Sequence, residues 1–488
     1  MKKSLLLIAA TFSVLVSVSK AQNVRMNSLG GIKYAVSDQD NSLNLYDFGK
    51  NPAWLINDEK EVWLKITPSY DRQWGDYRRP YDFKASNGGG MSFTGLKPLG
   101  NSGTFLGMAS YSYEEKRDIY RSIKRNPYDG TAFLPTDSTT GNFRYDGPSV
   151  GFAYSFEILP GLFLGAQANY QLLDGLKNIY SMAKTIYRNV GGKLGVAYAF
   201  SDNFVFGLDY QTFDSQESLE MKNVIAQTEV EIFNFRGDTY ATSIRKSTVE
   251  EKFRNNGNAF GAQLYFRPLI NLETAIKGDY TVSAARAVMP RGQSIKEFEE
   301  GYSSLENYNL EFNARYQVSG NLSLGAALEY SKDDSWSKNS ELNLLIWQWN
   351  LKRTSAGLGA AYSVQPLDLL VGIDYEIDLL NADSSKYIDS KFLSLSSTNS
   401  MVRIGAEKRV YDDLYIRAGY NYGKDQVDLI TGGKNVVLNN ASLGLGFRLF
   451  EATKVDFIVQ YGNMSPSGYA DLSRNHFSAA ATVRLNSF

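Results

Sequence analysis

From about residue 60 to its end, the chain repeats one small pattern: roughly ten residues of alternating apolar and small or polar side chains, then a turn or a longer connection. In residues 149–156, Val150, Phe152, Tyr154 and Phe156 fall on one face, with Ser149, Gly151, Ala153 and Ser155 on the other. Successive side chains of a strand point to opposite faces, so each such segment predicts a strand with one greasy face and one small or wet face. The same phase holds over residues 310–318, 322–330, 371–378 and 455–462. A soluble sandwich rarely needs so many copies with so many outward Tyr and Phe. A barrel spanning a bilayer needs them: apolar side chains toward lipid, polar ones toward a lumen, and no open edge.

The connections alternate in length. Pro160-Gly161, Asp202-Asn203, Pro268, Gly320-Asn321, Pro366, Asp412-Asp413 and Ala452 mark tight turns. Between the paired strands lie longer polar connections, at about residues 114–147, 212–257, 281–306, 331–353, 379–398, 423–439 and 462–474. Short turns on one rim and long loops on the other orient the barrel, with the short side periplasmic. Tyr170, Tyr210, Tyr330, Tyr375, Tyr420 and Tyr461 fall toward the long loops, and Tyr154, Tyr198, Tyr316 and Tyr362 toward the short turns. They predict aromatic girdles at both interfaces, the fuller one on the loop side. About eighteen strand candidates are countable, the weakest near residues 62–70, 86–96 and 103–113. Residues 230–235 add a β-like run that would extend a hairpin outside the membrane. The expected fold is all-β: a transmembrane antiparallel up-and-down barrel of 14–18 strands, preceded by an N-terminal plug.

Composition agrees with this reading. A mean hydropathy of −0.31 suits a barrel, because only alternate strand positions touch lipid. The 32 Tyr and 27 Phe supply strand propensity and interfacial belts, and the 42 Gly relieve crowding on an inner face. Met1-Lys2-Lys3, an apolar run over residues 5–18 and Ser19-Lys20-Ala21 have the form of a cleaved secretory signal. That divides the chain into a signal at 1–21, a periplasmic or hatch segment at 22–58 and a barrel at 59–488. Removing Lys2, Lys3 and Lys20 from the 51 basic residues leaves 48 against 52 acidic ones, a formal charge of −4. No nucleic-acid partner is expected from so balanced a chain; the lipid bilayer is the expected partner. The last strand ends on Phe488, which resembles the terminal residue that the barrel assembly machinery reads. Phe488 is out of phase with Ala481, Val483 and Leu485, so a bulge or frayed end is expected there.

Before the first strand stand Gly30-Gly31, Ala35-Val36-Ser37-Asp38 and Asn51-Pro52-Ala53-Trp54-Leu55. This resembles the mature N-terminus of the FadL-like family, outer-membrane transporters of hydrophobic compounds that include the PorV-type proteins of secretion. Asn51, Pro52, Ala53 and Leu55 match its Asn-Pro-Ala motif, Trp54 replaces the usual Gly, and the spacing between the blocks is longer. The resemblance implies a hatch inside the barrel, and a hatch movement with a lateral opening that releases a small hydrophobic molecule. Pro52 fixes its own φ and pushes Asn51 out of the helical region, while Asn51 can close an Asx-turn.

Chemistry for catalysis is sparse. His476 is the sole histidine and there is no cysteine, so the usual zinc and iron ligand sets cannot form, and no metal or cofactor is expected. A serine hydrolase would have to use His476 with Ser478, and the sequence places no carboxylate beside them. No catalytic residue is assigned and the chain is not expected to be an enzyme. Lys277, Arg315, Glu329, Asp374 and Glu376, with Asp378, fall on inward phases as candidate lumen-lining residues. The leading functional expectation is a passive transporter of small hydrophobic solutes. The alternative is a PorV-like partner in a secretion or envelope complex, motivated by an aromatic run at residues 342–349 read as exposed.

Overall fold

Alternation over most of the chain becomes a closed wall. The computed structural model describes residues 24–36, 45–57, 62–100, 103–223, 228–236, 241–290, 297–427, 434–467 and 471–486. The signal segment, Ser37-Asp38 and Phe488 lie outside them. The strands are β1 (Trp63–Trp74), β2 (Ala85–Pro98), β3 (Thr104–Ser122), β4 (Leu134–Leu159), β5 (Leu162–Lys177), β6 (Lys184–Ser201) and β7 (Phe204–Lys222), then β8 (Val230–Phe235) and β9 (Ala241–Lys246). The wall resumes with β10 (Thr248–Leu269), β11 (Leu272–Pro290), β12 (Glu297–Gln317), β13 (Leu322–Asn339), β14 (Leu344–Val364), β15 (Leu369–Lys386) and β16 (Lys391–Tyr411). It ends with β17 (Leu414–Val427), β18 (Lys434–Phe450), β19 (Thr453–Pro466) and β20 (Arg474–Asn486). Eighteen of these pair in ring order, β7 passing directly to β10 and β20 closing on β1, antiparallel throughout. The hairpin β8–β9 is outside the ring and pairs with the start of β4.

The phase of each strand is as the sequence predicts. Val150 and Phe152 are half exposed on the outer face, whereas Ala153 and Ser155 are fully buried inside. Nine of the ten girdle tyrosines are exposed outward; Tyr154 is half-buried, stacked on Phe156. Phenylalanines fill out the short-turn belt, where Phe200, Phe204 and Phe266 run edge to face around the rim.

Two expectations are corrected. The long connections are mostly strand: β4 runs for 26 residues and β14 for 21, well beyond what a bilayer needs. The wall therefore continues outside the membrane. The run at 342–349 is also not an exposed aromatic surface. Leu342 and Leu344 are exposed, but Ile346, Trp347 and Trp349 face inward and pack with Phe133, Ala287 and Ala382. Polar residues on the outer face of that extension made the inner phase hard to recognise.

The outer mouth is filled. The β3–β4 loop, residues 123–133, crosses the lumen: the Arg125 N–H donates to Glu217 of β7 (2.7 Å), and Ser335 of β13 donates to the Gly130 carbonyl (2.9 Å). Beside it, Phe143, Tyr145, Leu219, Met221 and Ile232 form an apolar cluster with the β8–β9 hairpin. Asp137 anchors this roof by accepting from Lys177 (2.6 Å) and Ser181 (2.6 Å), with both charged side chains fully buried. Burial pushes the Lys177 ammonium below the usual lysine range, and Asp137 pulls it back. Asp137→Ala leaves that ammonium buried and unpaired, a loss of about 3–5 kcal/mol. The expected outcome is faster proteolysis of residues 123–133 on intact cells, with the heat-modifiable gel migration of a folded barrel retained. Unchanged protection would show that the pair does not hold the roof.

Candidate functional site

At the short-turn end, residues 24–36 and 51–55 pack against inward side chains of the wall. The short helix Val24–Ser28 carries Arg25 to Glu407, which it meets through Nε (2.9 Å) and Nη2 (2.8 Å). Glu407 also accepts from Arg417 (2.6 Å), and Arg417 reaches on to Asp456 (2.5 Å). Such a fork-to-carboxylate pair is both strong and directional. The chain then turns through Gly30 and Gly31, both at positive φ, which Gly adopts without strain. The Gly30 N–H donates to Ser442 (3.1 Å), whose hydroxyl donates to the Ser28 carbonyl (2.9 Å). Farther on, Asp374 accepts the backbone N–H groups of Lys33 (2.7 Å) and Tyr34 (3.3 Å). Glu376 accepts from the Tyr34 hydroxyl (2.6 Å), the Lys33 ammonium (3.2 Å) and Arg403 (2.8 Å).

The Asn-Pro-Ala motif makes the second attachment. Asn51 Oδ1 accepts the Ala53 N–H (3.0 Å), the Asx-turn its sequence allows. Its amide nitrogen donates to the carbonyls of Val196 (3.3 Å) and Leu208 (3.1 Å) and to Gln263 (3.0 Å), so one side chain bridges β6, β7 and β10. The Ala53 carbonyl accepts from Ser155 (3.0 Å). Trp54 and Ala53 are fully buried against Phe163, Ala197 and Val205; Leu55 packs with Trp63, Leu96 and Leu106.

The wall is shaped to receive this chain. Inward glycines lie wherever its backbone comes close. A Cβ on Gly165 would collide with Pro52 and Ala53, one on Gly195 with Asn51, one on Gly325 with Tyr34, and one on Gly419 with Gly30. Residues with side chains could not stand there without moving the segment.

Of the candidate lumen residues, Asp374 and Glu376 meet the N-terminal segment directly. Lys277 pairs with Asp279 (2.8 Å) and Arg315 with Glu273 (2.6 Å), both along the inner wall. Glu329 faces Glu311 across the β12–β13 ladder. Arg25, Tyr34, Arg403, Glu407 and Arg417 escaped the sequence reading, because Arg25 and Tyr34 meet partners hundreds of residues away and the other three are paired only once the strands are side by side. The recurrent inward Gly near the short turns was a usable signal for where a second chain segment approaches. At the seam, Asp71 meets His476, so a carboxylate does stand beside the histidine, contrary to the sequence expectation. It is supplied by β1, at the opposite end of the chain. Ser478 donates instead to Gln460 (3.2 Å), so no serine-to-histidine relay is formed. A groove of about 940 Å³ spans β5 to β13, where Phe260, Tyr280 and Leu310 stand around Ala262 and Gly278. Those side chains point outward, toward lipid.

A closed antiparallel ring with lipid-facing aromatic belts defines an outer-membrane-type β-barrel. A family of unknown function (DUF6850) matches residues 52–342, more than half of the chain, and the protein belongs to that family. No curated protein matches it. Among solved structures it is similar to the toluene transporter TbuX of Ralstonia pickettii (11% identity, 95% of this chain and 97% of that chain, TM-score 0.34). It is also similar to the toluene transporter TodX of Pseudomonas putida (13%, 95% and 97%, TM-score 0.36) and the siderophore receptor PiuA of Acinetobacter baumannii (8%, 88% and 82%, TM-score 0.43). At such values the likeness is to a barrel and extends to no substrate.

The chain has no native cysteine, which makes the seating of the segment directly testable. A Cβ on Gly372 would lie 3.5 Å from Val36 Cγ2. The double variant V36C/G372C is expected to form a disulfide on oxidation in outer membranes, read as a mobility shift on non-reducing gels. No crosslink under those conditions would place residues 24–36 away from the wall.

Proposed function

We propose that this protein is a passive outer-membrane transporter in its closed state, with residues 24–36 and 45–55 as the movable plug of the lumen. The observation that carries the reading is the fit of that segment to inward glycines at Gly165, Gly195, Gly325 and Gly419. A barrel wall needs no such notches for its own ladder, since every ladder bond is made by backbone. The wall is cut to hold a second segment, and it holds that segment by ion pairs at Arg25 and Lys33 together with apolar burial and neutral hydrogen bonds. Buried ion pairs suit a seat that must also be left, because hydration of the separated charges offsets much of their mutual attraction. The alternative, a partner in an envelope complex, loses its motivation with the inward packing of Trp347 and Trp349.

Gly195→Leu with Gly419→Leu is expected to expel the segment while keeping the barrel, checked by heat-modifiable migration. In planar bilayers the intact protein should conduct little and the double variant at least tenfold more. Deletion of residues 24–50 should have the same effect by another route. An intact protein that already conducts like a wide pore, or variants that stay closed, would overturn the proposal.

A further inference from the structure

We infer that the solute for which this lumen is built is neutral and rich in hydroxyl groups, of saccharide type; the inference rests on the transporter reading above. The observation is the ring of inward residues about eight positions in from the short turn of each strand. At ~3.3 Å per residue and a tilt of roughly 40°, this ring stands about 20 Å above the turns, below the loop roof and bordered by the N-terminal floor on β15–β18. Its uncharged members include Ser112 on β3, Asn169 on β5, Gln211 on β7, Asn309 on β12, Asn421 on β17 and Ser478 on β20. Gly90, Gly151 and Gly261 occupy the same level on β2, β4 and β10. Large apolar side chains at this depth point outward instead, as Tyr170, Tyr210, Tyr308 and Tyr420 do. Isolated inward ones, such as Phe213 and Met401, are one step higher or off the ring.

Charge at this level is mostly paired in place, although Glu329 stands opposite Glu311 and adds carboxylate charge on that side. Lys193 pairs with Asp209 (2.8 Å), Asp279 with Lys277 (2.8 Å), and Arg403 with Glu376 (2.8 Å). An ion crossing the ring would meet these pairs already satisfied, and an anion would in addition be repelled by Glu311 and Glu329. A hydrocarbon would strip water from amides and hydroxyls and return no hydrogen bond, which costs about 1–3 kcal/mol for each group so stranded. Carboxamides both donate and accept, and so do sugar hydroxyls. A polyol is the solute that can replace the water on this ring bond for bond. The apolar groove on the lipid side does not alter that conclusion, because its large apolar side chains, Phe260, Tyr280 and Leu310, do not face the lumen.

The test uses the full-length protein carrying Gly195→Leu and Gly419→Leu in planar bilayers. Maltotriose at millimolar concentration is expected to interrupt the ionic current in a saturable way, and 1-hexanol at the same concentration is not. Gln211→Leu with Asn309→Leu, added to that background, should weaken the maltotriose block about tenfold, the loss of about 1.4 kcal/mol. A conducting barrel that maltotriose does not block, or that 1-hexanol blocks instead, overturns the solute class and leaves the plug intact. A barrel that does not conduct at all overturns the plug. The class is then decided by equilibrium dialysis of maltotriose against intact protein in detergent, where retention supports it and no retention overturns it.

Discussion

Inside a bilayer no water is available to the backbone, so every N–H and C=O of a spanning strand must find its partner in the next strand. Closure of β20 on β1 meets that demand around the whole ring, and the rest of the structure depends on it. Once the ladder is closed, each side chain has only two destinations, lipid or lumen, and its parity decides which. The seam shows how strict the demand is. The β1–β20 register is unbroken in count, but it passes over Thr67 and Pro68, where proline has no N–H to give. There the hydroxyls of Thr67 and Thr482 meet at 3.0 Å and bridge the gap with side chains.

Parity also explains why so many charges are tolerated inside. Glu376, Arg403, Glu407 and Arg417 are nearly buried, yet each has an ion-pair partner and most have hydrogen bonds as well. An unpaired charge at such a site would cost several kcal/mol, and the outward phase offers it nothing but lipid. The inward phase is thus where a barrel can carry recognition chemistry, and in this chain much of it is turned toward the barrel's own N-terminal segment. Arg25 meets Glu407 across 382 residues of sequence, so the plug and the wall recognise each other only after the ring exists.

What could be read from the sequence follows from the range of each interaction. Strand phase is local, and Val150 against Ala153 or Ile373 against Asp374 was visible from alternation alone. The ends of the strands were less legible. Above the girdles the outer face turns polar, so β14 lost its amphipathic contrast even though Trp347 and Trp349 keep perfect inward phase. Asn51 could be placed in a turn because its Asx bond is two residues long, but its reach to Val196, Leu208 and Gln263 depends on closure. Trp54 looked like a departure from a motif. In the folded chain it fills the space beside Gly207, where a smaller residue would leave a cavity.

The two closures differ in how they are held, and that difference says which of them can move. The roof joins the wall at both ends, through β3 and β4, and is locked further by ladder bonds between β4 and β8. Its contacts combine the buried Asp137–Lys177 pair with apolar packing: lifting it would expose clusters around Phe143 and Trp349, at about 25 cal/mol for every Å² returned to water. The floor at residues 24–36 is different. It is held by Arg25, Lys33 and Tyr34 on carboxylates, by backbone laid over glycines, and by a buried apolar cluster of Met26, Leu29, Ile32, Ala35 and Val36. Water entering beneath it would hydrate the separated charges and recover much of what the ion pairs supplied, whereas opening the roof must also break its β4–β8 ladder. Residues 51–55 are bound more tightly, with Trp54 and Leu55 in apolar clusters, and they lead directly into β1. On these energetics the proposed opening begins at residues 24–36 and pivots about the Asn51 turn.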